Sequence, residues 1–120
     1  MPHPGDHARL THIVEAIDLL VDFVGTLDFN EFSQDRKTQL SVERLLEIIG
    51  EAANHLSQEL KERYPQMPWR PMTDLRNVVS HEYFQLRLET IWQVAVDEVP
   101  PLKPRVEQIL HDLAKAESDD

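Results

Sequence analysis

The chain contains no cysteine. That excludes a disulfide framework and a thiolate metal centre, and it points to a reducing compartment, the cytoplasm. Glycine is scarce, at 3 residues of 120, and strand-like alternation is nearly absent, so an all-α protein is expected. No apolar run approaches the ~18 residues that cross a membrane, and no charged-then-apolar leader opens the chain. No membrane association is expected. Positive charge is short as well: 12 Lys and Arg face 22 Asp and Glu, a formal net charge of −10. A protein that grips nucleic acid by its backbone normally carries a basic footprint. Here the field of the whole molecule repels a polyanion. Binding would need a local cluster, for which Arg70, Arg76 and Arg87 are the candidates once folding and dimerisation gather them.

What is present reads as helices. A chain of this length forms one domain, residues 1–120, and buries about two-thirds of its unfolded surface. Residues 1–6 hold Pro2, Pro4 and Gly5 and read as a frayed lead-in; residues 114–120 read as an acidic tail. His3 and His7 have the spacing of a metal pair, but Pro4 and Gly5 lie between them, so no metal site is expected. Asp6 is a candidate N-cap for a first helix whose apolar residues run Leu10, Ile13, Val14, Ile17, Leu20, Val21, Val24 and Leu27. Glu15, Asp18 and Asp22 share its other side, which reads as a solvated face rather than a cation site.

Leu27 to Phe32 reads as a turn. A second helix is expected from Ser33 or Asp35 to about Arg63, burying Leu45, Ile49, Ala52, Leu56 and Leu60. Its outer stripe is Glu43, Glu47, Glu51, Asn54 and Gln58, without the Glu-x-x-His pairs of a di-metal bundle. Gly50 permits close approach of another helix. Pro65 ends the helix, and the link to Pro71 reads as a stiff, packed loop. Thr73 then caps a helix over 73–84, with Asp74 at its positive end. A further helix carries Ile91, Trp92, Ala95, Val96 and Val99, breaks at Pro100-Pro101, and is followed by a last one from Pro104.

The helix over 73–84 is unusual. At roughly 100° per residue, with Arg76 as zero, Tyr83 falls near −20°, Ser80 near 40°, Asn77 near 100° and His81 near 140°. Leu75, Val78 and Val79 point the other way. One half-face thus carries a guanidinium, an amide, a hydroxyl, an imidazole and a phenol. Arg is shaped to grip phosphate through parallel hydrogen bonds, and His, with a reference pKa of about 6.5, trades protons near neutrality. The wheel alone leaves two readings open: phosphate chemistry, or a satisfied polar seam inside a bundle or dimer. Glu51 is a candidate for orienting Arg76.

Arg76, His81 and Tyr83 form an R-x4-H-x-Y pattern, with Asn77 directly after the Arg. This set resembles the HEPN superfamily of helical ribonucleases. Over about residues 8–112 the chain is similar to the HepT-like branch, toxins paired with minimal nucleotidyltransferase antitoxins. The supporting stretches are Ile48-Ile49-Gly50-Glu51-Ala52-Ala53, Tyr64 to Arg70, and Ile91-Trp92 leading to Val99-Pro100-Pro101-Leu102. The resemblance implies a homodimeric HEPN-type bundle of about four to five helices. It further implies a metal-independent endoribonuclease without cofactor, acting on RNA, tRNA in some members. Arg76 and His81 would be catalytic, with Asn77 in support, and the antitoxin would adenylylate Tyr83. The residue pattern itself adds Ser80, on the same half-face, and Glu51, which would orient Arg76 or its neighbours, as supporting candidates. RNA supplies its own nucleophile, the 2′-hydroxyl. Cleavage needs a base and an acid, yet each motif offers one His, so two motif helices across a two-fold axis are expected. Glu82 departs from the small residue many relatives carry there, and a carboxylate beside the phosphate site would weaken RNA binding. The alternative readings are a non-catalytic HEPN partner that presents substrate to a nucleotidyltransferase, and a plain helical interaction module.

Overall fold

Two helices of 19 residues frame the molecule: α1, Asp6–Val24, and α3, Arg36–Asn54. The computed structural model describes residues 3–80 and 84–118, and at 79–80 and 84–86 the backbone alone. Leu10, Ile13, Ile17 and Leu20 recur at helical spacing on α1 and are fully buried against Val42, Leu46, Ile49 and Ala53 of α3. Between them, where a turn is expected, lies the short helix α2, Phe29–Ser33. A capping box starts it: Glu31 N donates to Asp28 Oδ1 at 2.8 Å, and Asp28 N to Glu31 Oε1 at 3.0 Å. Phe32 is thereby buried with its ring centroid 5.1 Å from that of Trp92.

The long second helix stops earlier than its apolar pattern predicts. α3 ends at Asn54, and α4, Gln58–Arg63, begins anew with Ser57 as its N-cap. The cause lies at the far end of the chain's first helix. Asp6 does not cap α1, which starts from Gly5 without a side-chain cap. Instead its buried carboxylate accepts from Ser57 N at 2.9 Å and Ser57 Oγ at 2.6 Å. His3 N donates to the same group at 3.0 Å. A break with satisfied polar atoms thus replaces a helical turn.

The remaining elements are α5, Trp69–Asp74, α6, Phe84–Gln93, and α7, Leu102–Ser118. α6 runs into a π-helical turn, Val94–Glu98, closed by Val99 N donating to Val94 O at 2.9 Å, and Pro100-Pro101 separate it from α7 as expected. α7 begins at Leu102 rather than Pro104. Pro104 sits in the first turn, where its missing N–H would have had no intrahelical partner anyway. The helix continues through Ser118, into the stretch read as a tail. The all-α expectation holds: α1, α3, α6 and α7, each of ten residues or more, carry the bundle, and among the described residues there is no strand. Nor is any helix there long and apolar enough to cross a membrane.

The link after α4 is packed, as its prolines suggest. Trp69 Nε1 donates to Tyr64 O at 2.9 Å, Tyr64 O–H to Asp112 at 3.1 Å, and Arg105 to Gln66 O at 2.8 Å. Burial and the Asp112 hydrogen bond push the Tyr64 phenol above its ordinary pKa. α7 therefore holds the link that delivers α5 onto α3.

Candidate active site

The segment that carries Arg76 is built differently from its expected form. Thr73 does not cap a helix; α5 already starts at Trp69, with Pro71 in its first turn. From Leu75 to Ser80 the chain then tightens into a 3-10 helix, a common form for the end of a short helix. In 3-10 geometry residues three apart eclipse, so Leu75 and Val78 stack together against the core. The wheel at 100° per residue does not hold over 75–80.

Gly50 positions this segment. A Cβ on it would stand 2.6 Å from Arg76 N and 2.9 Å from both Arg76 Cβ and Thr73 O. The backbones of α3 and the 3-10 segment touch there, as the sequence suggests they should. The next residue on α3 is Glu51, and its Oε1 lies 2.8 Å from Arg76 Nη1. The two side chains are 54% and 34% exposed, so water screens the pair and its worth is about 0–1 kcal/mol. Its effect is direction: one N–H of the guanidinium is committed to α3.

The acidic stripe of α3 holds two more cations. Glu43 lies 3.7 Å from Arg87 of α6, and Glu47 lies 3.5 Å from Arg44. Glu43 precedes Glu51 by eight residues, about 12 Å along the axis. Arg76 and Arg87 are therefore fastened to separate turns of α3 instead of meeting at one spot. Arg70 is exposed on α5, and Asn77 is exposed beside Arg76. His81, Glu82 and Tyr83 lie outside the described residues, as does the side chain of Ser80. Of the expected site, the structure brings together Arg76 and Glu51. Sequence reasoning missed the Asp6–Ser57 contact, and no local signal could have revealed it across 51 residues.

The helical bundle fits the HEPN-type fold that the sequence resembles. The chain belongs to the ribonuclease HepT-like family, whose model matches residues 13–109. It is similar to a "Probable ribonuclease HepT" of Thermococcus cleftensis, 37% identical over 100 residues, which span 83% of this chain and 91% of that one. It is also similar to a "Putative RNase" of Methanocaldococcus jannaschii, 38% identical over 113 residues, 94% of this chain and 93% of that one. A second such protein of the same organism is 35% identical over 100 residues, covering 83% and 92%. No solved structure matches significantly.

Proposed function

We propose that this chain is the toxin of a toxin–antitoxin pair, a metal-independent endoribonuclease working in the cytoplasm as a homodimer. The observation that carries the reading is Arg76, the motif arginine, held half-exposed at 2.8 Å from Glu51 over the contact at Gly50. Such a guanidinium is preorganised for the charge that builds on phosphoryl oxygens in the transition state. The RNA 2′-oxygen attacks phosphorus and the 5′-oxygen leaves. His81 of one chain takes the 2′-hydroxyl proton, and the second chain's copy gives one to the departing oxygen. The products are a 2′,3′-cyclic phosphate and a 5′-hydroxyl. Asn77 and Ser80 position the imidazole or the phosphate. The relatives' names as RNases support RNA as the substrate class, with tRNA the first substrate to try.

Control falls to Tyr83, which a nucleotidyltransferase antitoxin adenylylates. A phosphate and a purine on that phenol would stand in the path of incoming RNA and compete for Arg76. The test is cleavage of total tRNA and RNA by the purified chain. Activity should persist in EDTA and fall about 10²–10⁴-fold in His81→Ala and in Arg76→Ala. EDTA sensitivity, or normal cleavage by His81→Ala, would falsify the mechanism. With antitoxin and ATP, intact mass should rise in multiples of AMP, and not in Tyr83→Phe.

A further inference from the structure

Arg9 and His12 of α1 face Arg44 and Glu51 of α3, and His55 just past its end, across a surface groove of about 280 Å³ lined also by Ile48. Helical spacing explains the convergence. Arg9 and His12 are three residues apart, while Arg44, Glu51 and His55 recur at seven and four, one side of α3 over three turns. In a molecule of net charge −10, this groove gathers two guanidinium groups, two imidazoles and two carboxylates, Glu47 and Glu51.

Its carboxylates are already engaged: Glu47 with Arg44 at 3.5 Å, Glu51 with Arg76 at 2.8 Å. The Arg44 side chain is 69% exposed, so trading that pair for a phosphate costs little. Arg9 lies across Gly5, over space that a side chain there would occupy. The volume sits just below the ~300–1,000 Å³ of small-molecule pockets. Glu51 is the shared wall. It lines the groove and also holds Arg76, so the groove opens beside the proposed scissile position.

We infer that this groove is a second phosphate subsite, gripping the backbone of the RNA strand next to the phosphodiester cut at Arg76. The inference rests on the ribonuclease reading. In a chain of net charge −10 the groove is formally neutral, Arg9 and Arg44 against Glu47 and Glu51, and Arg76 beside Glu51 tips the neighbourhood positive. Arg9 and Arg44 take the phosphate oxygens, and His12 and His55 donate N–H groups or stack against the sugar and base.

The test uses fluorescence anisotropy with a 2′-O-methyl RNA oligonucleotide, which lacks the nucleophile and reports binding alone. The double variant Arg9→Glu/Arg44→Glu is compared with Lys61→Glu/Lys115→Glu, an equal change of charge on α4 and α7 outside the groove. The groove variant should raise Kd tenfold or more and flatten the salt slope by about 0.7 for each phosphate no longer neutralised. The control should shift Kd less than threefold. On unmodified RNA the groove variant should raise KM and leave kcat near its original value. If the reversed charges prevent folding, Arg9→Gln/Arg44→Gln against Lys61→Gln/Lys115→Gln carries the same comparison.

Equal shifts in both double variants overturn the subsite, as does a wild-type chain that binds no RNA at low salt. A wild-type chain that cleaves RNA while the groove variant binds normally overturns the subsite alone. A chain that never cleaves, yet binds RNA less tightly on groove substitution, overturns the ribonuclease reading and keeps the subsite.

Discussion

Arg76 takes its direction from a carboxylate one residue beyond the glycine it packs against. Because that ion pair is solvent-screened, removing it should leave the fold intact while loosening the guanidinium. Glu51→Ala is expected to lower kcat about tenfold, one hydrogen bond's worth of aim at roughly 1.4 kcal/mol, with Tm nearly unchanged. Glu51→Gln keeps an acceptor and should recover part of the rate. Single-turnover cleavage beside a thermal melt separates the two effects; a faster Glu51→Ala enzyme would mean that the carboxylate restrains Arg76 instead. This pair was legible in the sequence because Glu51 directly follows Gly50 on α3, and Gly50 marks the point of contact. Asp6 was not. An acidic residue at the start of an apolar run looks like a cap, and nothing near it names Ser57 as its partner.

At the level of the elements, the close seat of the 3-10 segment on α3 can be tested with one methyl group. Gly50→Ala would place Cβ 2.6 Å from Arg76 N, a backbone atom that no rotamer change can move. Ala is intrinsically better than Gly inside a helix by about 1 kcal/mol, so a neutral site would be stabilised. Here the segment must lift, and overpacking of this kind costs about 1–3 kcal/mol. The expected result is a lower Tm together with a disproportionate drop in cleavage, since Arg76 moves away from Glu51. A higher Tm with full activity would show that the contact is not tight. The apolar pattern gave away α1, α3 and α7 because each buries a regular stripe. It could not tell the 3-10 form of 75–80 from an α-helix. The choice between hydrogen bonds three and four residues back leaves no mark on which residues are apolar.

Across the whole molecule, shape and charge bear on assembly. The Cα radius of gyration is 15.3 Å, against about 13.6 Å for a compact chain of this length, and the extents are 52 × 27 × 20 Å. An elongated bundle has long flanks, and a reaction that needs both an acid and a base calls for a second His81. Sedimentation at micromolar concentration should show a species of twice the 14.0 kDa chain; a monomer there removes the shared site. Each chain brings a charge of −10, so salt should tighten the proposed dimer by screening, while it weakens the proposed RNA capture by competing with phosphate. Cleavage measured across ionic strength is therefore expected to pass through a maximum at low protein concentration.

The junction of α3 and α4 has one more consequence. The Ser57 amide begins a new helix, and such amides usually lie open to solvent. Here it is bonded to a carboxylate at the head of α1 that is itself 1% exposed. Its hydrogen can trade with solvent only when the two ends part, so its exchange clocks the undocking of the first helix and not the fraying of its own. Asp6→Ala is expected to speed the exchange of this amide, and an unchanged rate would show that the two ends part without it.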